Sequence, residues 1–308
     1  MGSFDGGRAV SFGIRLPIAA RSNLCGEPWE AQAGVDELTS IAQVAEHAGF
    51  AYVAVRDRLA VAADPAHPLA ATSWDCVSTL SYLAAVTDRI RLLSHGYVLI
   101  DRHPQVVARK WATLDTLSGG RAILGVAGGN APAEPVAPGA AGADHAPNGA
   151  RPDESLDESL DAVRVALDGT VCPARSRLPI WIEGSSPAAM RRAAERGDGW
   201  LSAGPPAGGM SAGIARLREM RGRAGKADEP FTVGAMSGPL YVGEPRWDVG
   251  RAVHGSPDQI ASFLRVLAGL GADQIQVTLR SRDVHELYDQ LRVFGADVAP
   301  RVAYAPVP

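Results

Sequence analysis

Lysine is nearly missing from this chain: Lys110 and Lys226 are the only two, and arginine supplies the rest of the 30 basic residues. Against 34 acidic residues they leave a formal charge of −4, with no basic tract. That balance gives nucleic acid or an acidic membrane surface nothing to bind. Cysteine is scarce too. Cys25, Cys76 and Cys172 are odd in number, far apart and without a CxxC pair, which argues against a disulfide framework and for reduced thiols in the cytoplasm. No apolar run approaches the ~20 residues that span a bilayer, and residues 1–8 hold no signal-like hydrophobic segment. HxH and HExxH are missing, and no carboxylate cluster offers a convincing metal site, so no metal is expected.

What is present is core material, with 46% hydrophobic residues in a chain of 308. That length suits two small domains or one large barrel. Short β-branched runs alternate with amphipathic stretches throughout. Strands are predicted at residues 10–16, 51–55, 90–98, 122–126, 179–183, 200–203, 231–242 and 274–279. Helices are predicted at residues 36–47, 75–86, 103–117, 153–167, 187–196, 211–223, 257–270 and 284–294. Eight strand–helix units in order close best as an α/β fold of the (β/α)8 TIM-barrel type, a single domain over residues 1–308. A doubly wound open sheet is the alternative. Residues 130–150, rich in Ala, Pro and Gly, break the alternation after strand 4 as a long insertion, a surface loop or lid.

In such a barrel the chemistry lies just after the strands. The candidates there are Arg56-Asp57-Arg58, Ser94-His95-Gly96, Gly128-Gly129-Asn130, Gly184-Ser185-Ser186, Ala203-Gly204 and Arg280. Gly184-Ser185-Ser186-Pro187 ends a strand and opens a helix, which aims free amides and a helix dipole at one point, as a phosphate requires. A plain N-cap by Ser185 or Ser186 explains the same residues, and a serine can do both. Gly128-Gly129-Asn130 would let a planar ring approach the main chain, or would simply be a flexible exit. His47 suits a helix C-terminus, and His103, before Pro104, is expected to cap its helix. His95, beside Gly96 at the end of the third strand, is the imidazole best placed for chemistry.

Two segments together resemble the luciferase-like monooxygenase superfamily, particularly its branch that uses the deazaflavin coenzyme F420. They are RIRLLSHGYVLIDRHPQVVARKWATLDTLSGGRAILGVAGGN (residues 89–130) and LPIWIEGSSPAAMRRAAERGDGWLSAG (residues 178–204). AEHAGFAYVAVRD and HGSPDQIASFLRVLAGLGADQIQVTL extend the likeness over nearly the whole chain. The resemblance implies a cofactor ring at the barrel mouth, with its phosphate near Gly184, Ser185 and Ser186 and a further contact from Arg280. Asp57, Gly96, Gly128, Gly129 and Asn130 would complete the cofactor site. It also implies a non-proline cis peptide behind the ring, matched here by His95–Gly96; a bulge in the strand is the other expectation there. Many relatives carry a histidine after the aspartate of the second strand. This chain has Arg58, always protonated and hence a clamp for an anion rather than an acid. The function implied is hydride transfer between reduced F420 and a small organic substrate, with Arg58 and His95 as catalytic residues. An FMN-dependent monooxygenase and a non-catalytic flavin- or deazaflavin-binding protein are the alternatives. The oligomeric state is not fixed by the sequence, and a homodimer is compatible with it.

Overall fold

Period-two alternation along the strands sends side chains into two different cores. In β1 (Ser11–Arg15), Phe12 and Ile14 pack outward toward helices while Gly13 lies against the Tyr52 ring. In β2 (Tyr52–Arg56), Val53 and Val55 go outward, and Tyr52 and Ala54 go inward. The computed structural model describes residues 10–21, 26–57, 73–100, 102–128, 152–169 and 177–303. Its other strands are β3 (Arg91–His95), β4 (Ala122–Ala127), β5 (Ile180–Glu183), β6 (Gly199–Leu201), β7 (Thr232–Val242), β8 (Val253–Gly255) and β9 (Gln274–Leu279). The helices are α1 (Val35–His47), α2 (Cys76–Val86), α3 (Pro104–Ser118), α4 (Pro152–Asp168), α5 (Pro187–Arg196), α6 (Gly209–Arg223), α7 (Pro257–Gly269), α8 (Val284–Val293) and the short α9 (Ala299–Ala303).

A parallel ladder runs from β1 in order to β7, passes to β9 and returns to β1. The β9–β1 pairing closes an eight-stranded (β/α)8 barrel and excludes the open sheet. Tyr52, Ala54, Leu93, Ile123, Trp181 and Leu201 fill the interior, with the Tyr52 and Trp181 rings edge-to-face at 5.6 Å. The larger core lies between barrel and helices. Two features depart from the expected pattern. β8 is an extra strand on residues 240–242 of β7, too short for any period to reveal. β7 shifts register between Met236 and Pro239, where Gly238 has φ +74°.

The helix boundaries follow local chemistry. Asp75, Ser186, Ser256 and Asp283 cap α2, α5, α7 and α8 with their side chains, and Gly119 (φ 70°) ends α3. His103 holds the N-cap position of α3 but makes no side-chain capping bond, so Pro104 alone marks that start. His47 Nδ1 meets the Gln43 carbonyl at 2.7 Å within the last turn of α1. Among the described residues no helix is long and apolar enough to cross a membrane. The predicted insertion, residues 130–150, lies outside the described residues.

Candidate functional site

β3 does not end cleanly. Leu92 and Leu93 pair with Ala122 and Ile123, yet Tyr97 pairs with Val126. Four steps along β3 therefore match three along the neighbouring strand, and the extra residue makes a bulge at Ser94, His95 and Gly96. No peptide among the described residues is cis, which corrects one expectation for the His95–Gly96 bond and leaves the bulge. The chain turns out of the ladder through Gly96, at φ +71°, a conformation that costs a glycine nothing. Ser94 mends the gap: its hydroxyl accepts from the Gly125 N–H at 2.9 Å and donates to the Gly125 carbonyl at 3.0 Å.

Glu183, the last residue of β5, locks the bulge. Its Oε1 accepts from the Gly96 N–H at 2.7 Å. Its Oε2 lies 3.1 Å from His95 Nδ1 but off the line of a ring N–H, so the two groups are in contact without a hydrogen bond. Both side chains are buried. His95 Nε2, on the other side of the ring, has no partner among the described residues. The Tyr52 hydroxyl is also buried and unpartnered; burial, with the Glu183 charge added, drives that phenol far above its ordinary pKa. Sequence reading passed over Glu183. The available signal was its parity: it shares the inward face of β5 with Trp181, where a carboxylate has no packing role.

The start of α5 forms a second polar locus. Ser186 is the N-cap and accepts from the Ala189 N–H at 3.1 Å, leaving its own proton free. Ser185 donates to the Gly204 carbonyl at 2.5 Å and lies 3.2 Å from the Ser202 hydroxyl. The amides of Ser185, Ser186 and Ala188 have no acceptor among the described residues. Ser186 thus fills the capping role, and the open donors at this junction are amides rather than both hydroxyls. Gly128 completes the wall: a Cβ there would lie 2.2 Å from the Glu183 carbonyl oxygen and 2.6 Å from Ala189 Cβ. Its own carbonyl accepts from Arg192 Nη1 at 2.6 Å. Arg192 is fully buried and also pairs with Asp157 at 2.5 Å. Burial works against the Asp157 charge, but hydrogen bonds from Arg191 and Arg192 outweigh it and keep that carboxyl below its usual range.

The other expected residues fall differently. The Asp57 carboxylate is engaged by Arg102 through a two-point pair (2.5 and 3.1 Å) and by the Val98 N–H at 3.0 Å. Arg280 is paired with Glu27 and donates to the Val249 carbonyl at 3.0 Å. Arg58, Gly129 and Asn130 lie outside the described residues. A cavity of about 600 Å³ opens at the opposite, N-terminal end of the barrel, near Arg91, Trp181, Thr232 and Gln274. That end stabilises such barrels, and the mouth is where the chemistry is built. No group of three or more metal-binding side chains occurs among the described residues.

The family model for luciferase-like monooxygenases matches residues 11–253. The F420-dependent glucose-6-phosphate dehydrogenase of Beutenbergia cavernae is 35% identical over 180 residues, covering 54% of this chain and 52% of that protein. The chain spans about half the length of the curated relatives it matches. Among solved structures, an F420-dependent secondary alcohol dehydrogenase in complex with an F420–acetone adduct superposes with TM-score 0.73 at 15% identity. That match covers 96% of this chain and 99% of the other. EDTA monooxygenase from Chelativorans sp. superposes with TM-score 0.72 at 14% identity, covering 96% and 93%. At these identities the structures speak for the fold alone. The family match over most of the chain carries the assignment: this protein belongs to the luciferase-like monooxygenase family.

Proposed function

We propose that this protein is an oxidoreductase that transfers a hydride between reduced coenzyme F420 and a small organic substrate with a carbonyl or unsaturated group. The observation that carries this reading is the buried His95–Glu183 pair on a bulge at the barrel mouth. A deazaflavin or flavin would supply the two-electron chemistry. The open amides of Ser185, Ser186 and Ala188 and the dipole of α5 fit its phosphate. Glu183 turns Nδ1 of His95 toward itself and so leaves Nε2 to face a substrate. In the reducing direction, His95 gives the Nε2 proton to the substrate oxygen as the adjacent carbon takes the hydride; in reverse it takes that proton back. Glu183 stabilises the imidazolium before transfer and holds the ring in place. Arg58 would hold the substrate from the end of the second strand.

A second reading, an FMN-dependent monooxygenase, draws support from the family model itself, which is that of luciferase-like monooxygenases. Titrating the protein with F420 and with FMN, followed by absorbance and fluorescence, separates the two. Tight F420 binding with weak FMN binding is expected. The reverse order would replace this proposal with the monooxygenase. His95→Gln should leave F420 affinity within about twofold and lower turnover by roughly 10²–10⁴, the range for loss of a general acid. Full turnover in that variant would remove His95 from the chemistry.

A further inference from the structure

We propose that Arg15 and Arg56 form an oxyanion subsite in the mouth, so that the substrate carries a carboxylate or phosphate besides the group that is reduced. This rests on the reading of the mouth as a substrate site. Both arginines end their strands and face inward. Arg15 shares the inner face of β1 with Gly13, and Arg56 that of β2 with Tyr52 and Ala54. Arg15 stands opposite Ala54 and Arg56 opposite His95, so Arg56 lies between Arg15 and the candidate proton donor. Strand spacing and rise put the two arginine Cα atoms about 8 Å apart, within reach of one small anion.

Neither guanidinium has a hydrogen bond, ion pair or ring contact among the described residues, and both are only partly exposed. Four carboxylates among the described residues around the mouth are already engaged. Asp57 holds Arg102 and the Val98 N–H, and Glu27 holds Arg280. Glu30 accepts from the Ile18 and Glu27 amides, and Glu183 serves Gly96 and His95. Two like charges on neighbouring strands thus face a partly dehydrated space with no counter-ion from the described chain. A planar fork on each suits a carboxylate or phosphate. β1 and β5 lie on opposite sides of the eight-stranded ring, so Arg15 and the cradle at α5 do not serve the same phosphate. The cradle is left for the cofactor, and the arginines for the substrate.

The test uses the full chain in a zwitterionic buffer, titrated calorimetrically with inorganic phosphate and with malonate, beside the F420 and FMN titrations. Wild type should bind one equivalent of at least one of the two anions. Arg15→Gln and Arg56→Gln should each weaken that binding about tenfold or more, while cofactor affinity changes less than twofold. Arg15→Lys and Arg56→Lys, which keep the charge and guard against loss of fold, should restore only part of it. No saturable anion binding in wild type, or binding unaffected by all four substitutions, overturns the subsite. An equal loss of cofactor affinity in the Gln variants overturns the substrate assignment and gives these arginines to the cofactor. Arginine-dependent anion binding in a protein that binds neither cofactor would instead sink the oxidoreductase reading and leave the subsite standing.

Discussion

Replacing Arg102 by alanine should cost more stability than neutralising its partner Asp57. The Asp57 side chain is 2% exposed and that of Arg102 is 18% exposed, so the two halves of the pair are not equally stranded when separated. In Arg102→Ala, a sealed carboxylate keeps only the Val98 N–H, and breaking a buried pair from one side costs about 3–5 kcal/mol. The guanidinium also sits 4.0 Å above the Tyr97 ring, a contact of about 0.5–2 kcal/mol. In Asp57→Asn the amide oxygen still accepts, and Arg102 can turn to water, so a loss of about 1–2 kcal/mol is expected. With melting shifts near 2 °C per kcal/mol for a chain of this size, Arg102→Ala should lower the Tm by roughly 7–14 °C and Asp57→Asn by roughly 2–4 °C. The double variant Asp57→Asn with Arg102→Ala should melt above Arg102→Ala alone, because no charge is left buried. Calorimetric melts of the four proteins give the cycle. Equal single-variant losses, or a double variant as low as their sum, would refute the account. F420 titration of Asp57→Asn belongs to the same set: near-normal affinity is expected if the carboxylate serves only the loop after β3.

Other outcomes follow from single features. Glu46 accepts from the Asp88, Arg89 and Ile90 amides; burial opposes its charge, but those bonds win and hold the carboxyl below 4.5. Its contribution is therefore complete above about pH 5 and is lost as pH falls through the depressed folded value; Tm measured from about pH 6 to about pH 3 should fall less steeply in Glu46→Gln, and parallel curves would show that Glu46 contributes nothing. Ser186→Ala should cost about 1 kcal/mol as a lost cap, whereas Ser185→Ala should leave urea stability within about 0.5 kcal/mol; the opposite ranking would reassign the cap. Gly96→Ala has room, since its Cβ would meet Glu183 Oε2 at 3.5 Å, and should cost about 1–2 kcal/mol for the left-handed backbone. Gly125→Ala would place a Cβ 2.1 Å from the Ser94 carbonyl oxygen and should lose most soluble protein; a well-folded Gly125→Ala variant would contradict the bulge geometry.

The sequence by itself determined the order of strands and helices, because alternation, proline at helix starts and capping side chains act over a few residues. It also marked Gly184, Ser185 and Ser186 as a strand-to-helix junction, and left cap and cradle open because one serine serves both. The partners of the charged residues were decided only in three dimensions. Glu183 and Gly96 are 87 residues apart and Asp57 and Arg102 are 45 apart, so no local pattern links them. Only closure of the barrel sets Arg102 against Asp57. Arg15 and Arg56 read as ordinary strand ends until the ring turns both inward, with no partner carboxylate among the described residues. The bulge at His95 likewise depends on register against β4. A strand's own sequence specifies which side chains alternate, and only the neighbouring strand specifies where that alternation slips.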